Sequence, residues 1–126
     1  MAEYHLVMLK RAYDEPAPDD GIRVLVERLW PRGLARERAR IDEWLRDIAP
    51  STDLRKWYAH DPARFAEFRA RYIAELAEEP ARSAFDHLRQ LAHGNDVTLV
   101  FGARDIEHSN AAVLRSLLAE EHRGAS

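Results

Sequence analysis

The sequence predicts a small layered α/β domain, in which helices cover a mostly parallel sheet of about four strands. Val24–Val26 and Val97–Gly102 are apolar at nearly every position, which is typical of strands that are covered on both faces. Segments with helical spacing of apolar residues lie between these runs, as the connections of a parallel sheet require. A length of 126 residues with 46% hydrophobic residues is sufficient for one domain, residues 1–126, with its own core.

The first part of the chain contains two predicted strands and one ambiguous segment. Tyr4 to Lys10 predicts the first strand, and Ile22 to Leu29 predicts the second. Between them, Tyr13 to Gly21 holds prolines, acidic residues and a final glycine, which indicate a loop. Asp42 to Ile48 fits either a helix or a strand, because its apolar residues satisfy both spacings.

Capping signals predict the first two helices of the second part of the chain. Ser51 or Thr52 is placed to cap a short helix. Asp61 followed by Pro62 is a strong start signal for a longer helix. In each of these two helices, the residues that we expect to be buried have the spacing of one helix face. They are Leu54, Trp57 and Tyr58 in the short helix, and Phe65, Phe68, Tyr72, Ile73 and Leu76 in the longer one.

Two further helices flank the last predicted strand. Pro80 opens the first of them and Gly94 terminates it, with Phe85, Leu88 and Leu91 facing inward. The final helix is predicted to run from about Ser109 to Glu121. This alternation of strands and helices predicts a Rossmann-like arrangement, in which ligands bind beyond the carboxyl ends of the strands.

The composition argues against several classes of function. The chain has no cysteine, which removes disulfides, thiolate catalysis and Cys-ligated metal centres. No metal-ligand spacing, phosphate-binding loop or dinucleotide motif is found, so we expect neither a metal nor a cofactor. A net charge of -3 without a basic stripe argues against nucleic acid. No apolar run approaches the roughly 20 residues that span a bilayer, and the N-terminus does not resemble a signal peptide, so a cytoplasmic protein is expected.

Cationic and aromatic side chains follow the predicted strands at the points where those strands end. Arg28, Trp30 and Arg32 follow the second strand, and Arg104 follows the last one. The start of the final helix, at Ser109 and Asn110, would add the unpaired N–H groups of a helix N-terminus. Guanidinium groups bind phosphate and carboxylate well. The sequence therefore predicts a binding site for a small anionic ligand, either a phosphate, a nucleotide or a carboxylate, with Trp30 as a stacking wall.

An alternative interpretation gives the arginines a structural role. In that case they form salt bridges with nearby carboxylates, the domain is a non-catalytic interaction or structural protein, and Trp30 belongs to the core. Loop-locking ion pairs of this kind are frequent, so both interpretations stay open at this point. The candidate carboxylate partners are Glu27, Asp42, Asp47 and Asp105.

Whether the domain is an enzyme is left open by the residues. Asp105 and His108 lie close together in the sequence and near the predicted anion site, which makes them the first acid–base candidates. His60 is the next candidate, although Asp61 beside it is explained by its role as a helix cap. Glu27 is a further carboxylate at a strand end.

Four segments of the chain resemble the YeaO-like family of small bacterial and archaeal proteins, whose function is unassigned. They are K-R-A-Y-D at Lys10–Asp14, D-G-I-R-V-L-V-E-R-L-W-P-R-G at Asp20–Gly33, the segment Ile48–Pro62, and T-L-V-F-G-A-R-D at Thr98–Asp105 with Asn110. The resemblance covers nearly the whole chain. It implies a compact α/β domain and supplies no reaction.

The same resemblance bears on individual positions. In a broader group of related domains the segment matching Asp42 to Ile48 is a strand, and we adopt that prediction. A later strand of that group often ends in cysteine, where this chain has Phe101 and Gly102. The resemblance therefore implies that thiol chemistry is absent here. Glu27 occupies a position where YeaO-like proteins usually carry aspartate. The side chain of Glu27 is one methylene longer, so its carboxylate is displaced.

Overall fold

The core of the protein is a parallel sheet of four strands, seen in a computed structural model that describes residues 5–124, with side chains to residue 121. The order across the sheet is β1-β4-β2-β3, and every neighbouring pair is parallel. Because parallel strands end at the same edge, the carboxyl ends of β2 and β4 lie side by side. The strands are β1 (Val7–Arg11), β2 (Ile22–Leu25), β3 (Glu43–Trp44) and β4 (Val97–Phe101).

The described residues contain five α-helices, and four of them pack on one side of the sheet. Their bounds are α1 (Arg36–Ala39), α2 (Thr52–Tyr58), α3 (Phe65–Leu76), α4 (Ala81–Gly94) and α5 (Asn110–Gly124). Short 3-10 turns occur at Pro18–Asp20, Arg46–Ile48 and Pro62–Arg64. The predicted α/β class with a parallel sheet and covering helices is confirmed.

The two faces of the sheet carry cores of different size. On one face Val97, Leu99 and Phe101 of β4 pack against α2, α3, α4 and α5 in the main hydrophobic cluster. Side chains alternate along a strand, so Val100 points to the opposite face. There it joins a small cluster with Leu25 that is covered by loop residues. Burial of every β4 residue confirms that this strand is covered on both sides.

All four predicted strands differ in their bounds from those observed, and the last one only in ending at Phe101 and not at Gly102. β2 ends at Leu25 and not at Leu29. The last hydrogen bond on this side runs from the Val26 amide to the Val100 carbonyl of β4 (3.0 Å), and after Val26 the chain turns away from the sheet. Leu29 is 68% exposed, so it has no sheet neighbour to cover it. The first strand begins at Val7, and Tyr4, where we predicted its start, lies outside the described residues.

The strand predicted at Asp42 to Ile48 is real but much shorter. Only Glu43–Trp44 pairs with β2, and the Leu45 amide adds a hydrogen bond to the Leu25 carbonyl (2.9 Å). Residues Arg46–Ile48 then form a 3-10 turn that leads to α2. The segment therefore begins as an edge strand and ends as a helical turn. The strand prediction and the helix alternative each hold for part of it.

The predicted helix starts are confirmed by their capping contacts. The Ser51 hydroxyl accepts a hydrogen bond from the Leu54 amide (3.1 Å) at the start of α2. Asp61 accepts one from the Ala63 amide (3.0 Å) and caps the 3-10 turn that leads into α3. Glu67 and Arg71 form an ion pair on the exposed side of α3.

Candidate functional site

A cleft with a volume of about 420 Å³ opens at the carboxyl edge of the sheet, where β2 and β4 end. Glu27 follows β2, Gly102 and Ala103 follow β4, and α2 and the start of α5 supply the walls. Ligands of parallel α/β domains bind at this edge. We call it the strand-end cleft, and it is lined by Glu27, Ala49, Pro50, Arg55, Lys56, Tyr58, His60, Phe68, Gly102, Ala103, His108, Ser109 and Asn110.

The N-terminus of α5 is fixed at this cleft by two side chains. The Ser109 hydroxyl accepts a hydrogen bond from the Ala112 amide (3.1 Å), which caps the first turn. The Asn110 amide group donates to the Val26 carbonyl (2.9 Å), which ties the helix to the end of β2. The first N–H groups of a helix have no partner in the preceding turn, and they carry a partial positive charge. Ser109 and Asn110 thus bring this charge to the cleft wall.

Two adjacent cations stand on the rim of the strand-end cleft. Arg55 and Lys56 are exposed residues of α2, and within residues 5–121 neither side chain forms an ion pair or a hydrogen bond. His60 follows them on the same rim, in a turn where Ala59 and His60 both have left-handed backbone angles (φ 49° and 54°). Because neither Arg55 nor Lys56 forms an ion pair within these residues, their charge is available to a ligand, although Arg55 also acts on the Glu27 carboxylate through space.

His108 and Asp105 form a hydrogen-bonded pair beside the cleft. The Nδ1 atom of His108 lies 2.7 Å from an Asp105 carboxylate oxygen, and the His108 ring contacts the edge of Phe65 (5.0 Å between ring centres). The hydrogen bond from His108 lowers the pKa of Asp105 below its ordinary value. The Tyr58 hydroxyl donates to the His108 carbonyl (2.7 Å), and burial raises the pKa of Tyr58. The pair is therefore held in place by both α2 and α3.

Glu27 is a half-buried carboxylate at the bottom of the cleft. Trp44 donates a hydrogen bond from its indole nitrogen to the Glu27 backbone carbonyl (2.7 Å). Burial raises the pKa of Glu27, and the nearby Gly102 amide and the charge of Arg55 oppose that rise without cancelling it. The backbone of Glu27 is thus held by β3, and the ionised form of its side chain is incompletely solvated in the cleft.

We expect Glu27→Gln to stabilise the protein at neutral pH by about 1 kcal/mol, because it removes a desolvated charge. A carboxyl whose pKa is raised on folding destabilises the folded state when it is ionised. Above the raised pKa, the ionised carboxyl lowers the free energy of unfolding by the full amount. This loss shrinks as the pH falls through the raised pKa towards the pKa of the unfolded state, which is near 4.5. Urea unfolding at about pH 7 and about pH 4 should therefore show an advantage for the variant that shrinks at the lower pH.

A matched control for this prediction is Glu78→Gln, which changes an exposed glutamate outside the cleft. It should alter the free energy of unfolding by no more than about 0.5 kcal/mol at either pH. If Glu27→Gln behaves like this control, burial does not raise the free energy of the ionised Glu27 carboxylate.

Several residues predicted from the sequence line the strand-end cleft. His60, His108, Ser109 and Asn110 are all in contact with it, and Asp105 is bound to His108. They come together because the loop after β4 leads straight into α5, while His60 follows the helix on the opposite wall. The acid–base candidates and the helix N-terminus therefore share one cleft.

Arg28 and Arg104 flank the cleft without lining it. Arg28 donates from Nη2 to the carbonyl of Ala49, a cleft residue (3.1 Å). Its Nε atom is the single buried side-chain nitrogen or oxygen atom without a hydrogen-bond partner among the residues that the structure describes. Arg104 follows Ala103, another cleft residue, and its side chain is exposed.

Trp30 and Arg32 lie apart from the cleft. Trp30 belongs to the smaller core cluster on the other face of the sheet, where its ring meets the edge of Trp44 (5.4 Å). Its indole nitrogen donates to the Leu34 carbonyl (2.7 Å), so its polar atom is already bonded. Arg32 is exposed, and its carbonyl accepts a hydrogen bond from the Tyr13 hydroxyl (3.0 Å). The turn after Val26 carries these residues away from the strand ends.

The salt bridges required by the structural alternative are not found for these arginines. Among residues 5–121, the side chains of Arg28, Arg32 and Arg104 form no ion pair with any carboxylate. Arg28 makes one hydrogen bond, and its Nε atom is buried without a partner. Any structural contribution of Arg28 therefore comes from a single hydrogen bond and from packing.

We expect Arg28→Met to change the free energy of unfolding by about 1 kcal/mol or less. It loses one hydrogen bond, worth about 0.5–1.5 kcal/mol, but also removes a buried nitrogen that has no partner. Chemical denaturation measures the difference, with the exposed Arg32→Met as the matched control. A loss of about 3 kcal/mol or more for Arg28→Met alone would instead indicate the buried ion pair of the structural alternative.

The sequence patterns did not single out Arg55 or Lys56, and they assigned Tyr58 to packing alone. Arg55 and Lys56 are on the exposed side of an amphipathic helix, where cations are ordinary. The one available signal was their position in the helix that follows the third strand, close to the same sheet edge. Tyr58 is indeed buried, but its hydroxyl also holds the His108 backbone at the cleft.

A second hollow, of about 920 Å³, lies among the loops near α1. Its charged residues are of both signs, including Arg38, Arg40, Glu37 and Asp42, so it offers no net positive charge to an anion. Arg23, which also reaches it, is already paired with Asp20. No group of three or more His, Asp or Glu side chains suited to a metal ion occurs among the described residues.

The fold and the site together define a class: a parallel α/β domain with a cationic cleft at the carboxyl edge of its sheet. The model of the family described as the inactive DUF488-N3 subclade matches residues 6–126. The chain therefore belongs to this family, and it is a YeaO-like protein.

The relatives carry no assigned function in their names. An uncharacterised protein of Mycobacterium tuberculosis and one of Mycobacterium bovis are each 45% identical over 112 residues, which cover 89% of this chain and 92% of theirs. The uncharacterised protein YeaO of Escherichia coli is 38% identical over 112 residues, covering 89% of this chain and 96% of its own. No solved structure matches the chain. Within residues 5–124, no helix has both the length and the apolar surface that crossing a membrane demands.

Proposed function

We propose that this protein is a binding domain for a small anionic metabolite, a phosphate or a carboxylate, which it holds in the strand-end cleft. The observation that carries the proposal is the pair Arg55 and Lys56, two cations that form no ion pair or side-chain hydrogen bond among the described residues, on the rim of that cleft. The N-terminus of α5, at Ser109 and Asn110, faces the same space from the other wall.

Electrostatics supports a local anion site on a chain that is acidic overall. The net charge of -3 gives no general attraction for anions, so an anion must be drawn by a local group of cations. Arg55 and Lys56 supply two positive charges, while the lining contains a single carboxylate, that of Glu27. A helix N-terminus adds hydrogen-bond donors that need no change of geometry on binding.

The residues predicted from the sequence take different parts in this proposal. His60, His108, Ser109 and Asn110 contact the ligand, and Arg104 adds charge from the exposed loop beside it. Arg28 supports the wall through the Ala49 carbonyl. Trp30 and Arg32 have no role in the proposed site, because their contacts lie elsewhere.

The proposed function is binding without a reaction. The family that contains this chain is described as an inactive subclade, which supports that restriction. The chain also has no cysteine to act as a nucleophile at the end of β4. A bound metabolite would therefore be sequestered or sensed.

A thermal-shift series tests the proposal. Inorganic phosphate, sulfate, acetate and adenosine monophosphate are each added to the wild type, to Arg55→Ala/Lys56→Ala, and to Arg115→Ala. Arg115 is an exposed arginine outside the cleft and serves as the matched control.

At about 100 times the Kd a ligand should stabilise the wild type by about 2.7 kcal/mol. This stabilisation should persist in the control and disappear in the double variant. The proposal fails if no anion raises Tm, or if the double variant responds like the wild type.

A second candidate function rests on the Asp105–His108 pair. A histidine held at 2.7 Å by a carboxylate has the geometry of a general acid–base group, and this one is at the cleft wall. In that case an anionic metabolite would be converted and not merely held. Incubation with a metabolite extract, followed by mass spectrometry, should then show a compound consumed by the wild type and spared by His108→Asn. No consumption by the wild type supports the binding function.

A further inference from the structure

Glu27 lines the strand-end cleft, and its backbone is held there by Trp44. The Trp44 indole nitrogen donates to the Glu27 backbone carbonyl (2.7 Å), and the Gly102 amide lies close enough to the Glu27 carboxylate to favour its ionised form. These contacts come from β3 and from the end of β4, the two neighbours of β2. The side chain is therefore positioned at the edge where a ligand would lie.

Nothing in the described part of the chain neutralises this carboxylate. No Lys, Arg or His nitrogen of residues 5–121 forms an ion pair with Glu27, and Arg55 acts on it only through space. The hydroxyl of Tyr72 interacts electrostatically with Glu27, but it donates its hydrogen bond to the Ile48 carbonyl (2.5 Å). A half-buried carboxylate without an ion pair is incompletely satisfied, and burial raises its pKa accordingly. Such a group is stabilised by a cation that enters the cleft.

The cleft thus carries charges of both signs in separate places. Arg55 and Lys56 stand on the rim with the α5 N-terminus opposite, and Glu27 lies at the bottom. A simple anion would satisfy the first group and be repelled by the second. A volume of about 420 Å³ is large enough for a metabolite that spans both regions.

We propose that the ligand carries a protonated amine beside its anionic group, and that the Glu27 carboxylate binds the amine. This inference rests on the proposed function, because Arg55, Lys56 and the α5 N-terminus must hold the anionic group. The ligand class is an amino-carboxylate or an amino-phosphate. Glu27 is then the residue that selects it over anions without an amine.

Isothermal titration calorimetry with two matched pairs of probes tests this inference. O-phosphoethanolamine is compared with ethyl phosphate, and β-alanine with propionate, so that each pair differs only in the amine. On the wild type we expect the amine to tighten binding about tenfold or more in at least one pair, as a charge-assisted hydrogen bond should. In Glu27→Gln the ratio should fall to about one, and ethyl phosphate or propionate should bind at least as tightly as before.

The outcomes separate the two proposals. If the probes without an amine bind the wild type and the amine adds nothing in either pair, the inference about Glu27 is overturned and anion binding stands. A preference for the amine that persists in Glu27→Gln would overturn the inference in the same way. If neither pair binds at all, both proposals fail. Arg55→Ala/Lys56→Ala should weaken all four probes, whereas Arg115→Ala should weaken none.

Discussion

Replacing Arg23 with leucine is expected to destabilise the protein by about 3 kcal/mol or more. Arg23 is 4% exposed, and its Nη1 atom lies 2.7 Å from an Asp20 carboxylate oxygen. Its Nε and Nη2 atoms both donate to the Ala39 carbonyl (3.0 and 2.8 Å). Among the described residues, the substitution leaves the buried Asp20 carboxylate with Lys10 as its remaining ion-pair partner. It also removes the side-chain donors that Arg23 supplies to the carbonyl at the end of α1.

Urea denaturation measures this loss, with Arg38→Leu as the matched control. Arg38 is exposed on α1, so its replacement should change the free energy of unfolding by about 0.5 kcal/mol or less. Asp20→Asn/Arg23→Leu should be less destabilised than the sum of its single changes, because the two residues interact directly. A loss below about 1 kcal/mol for Arg23→Leu would show that the pair contributes little to holding this loop on the sheet.

The second large effect is expected for Gly21→Ala, which should cost at least about 2 kcal/mol. Gly21 has a positive φ of 67°, and a Cβ atom there would lie 2.2 Å from the Asp96 carbonyl oxygen. That carbonyl cannot move freely, because it accepts the hydrogen bond of the Ile22 amide (2.9 Å) that aligns β2 with β4. The substitution therefore strains the junction from which β2 starts.

Gly33→Ala separates the two causes of this loss. Gly33 also has a positive φ, 75°, but no atom beyond Gly33 and its two chain neighbours lies within 4 Å of the Cβ position. It should show only the cost of the left-handed conformation, about 1 kcal/mol. Equal losses at both glycines in thermal or urea unfolding would contradict the close approach of Asp96 to Gly21.

The fold could be predicted from the sequence because its signals are local. Apolar runs predicted β2 and β4, and the caps Ser51 and Asp61 predicted two helix starts. The physical cause of each of these features lies within a few residues of it in the sequence. The length of β3 could not be predicted. Its pairing depends on how far β2 continues as a sheet neighbour, and that is decided by the turn after Val26.

The candidate site was predictable only where chain order fixes position. His108, Ser109 and Asn110 follow β4 directly, so the rule that parallel strands end at one edge places them correctly at the cleft. Arg55 and Lys56 reach it through the packing of α2, which is a tertiary contact without a local signature. Proximity in sequence did not bring Trp30 there, because its ring packs on the opposite face of the sheet.

Whether the strand-end cleft binds anions can be decided by nuclear magnetic resonance, in a titration of ¹⁵N-labelled protein with inorganic phosphate and, separately, with acetate. We predict that at least one anion shifts the backbone amide signals of Arg55, Gly102 and Asn110 in a saturable manner. The amides of Arg38 and Arg40, beside the second hollow, should keep their positions. Saturable shifts confined to Arg38 and Arg40, or no saturable shift with either anion, would contradict an anion site at the ends of β2 and β4.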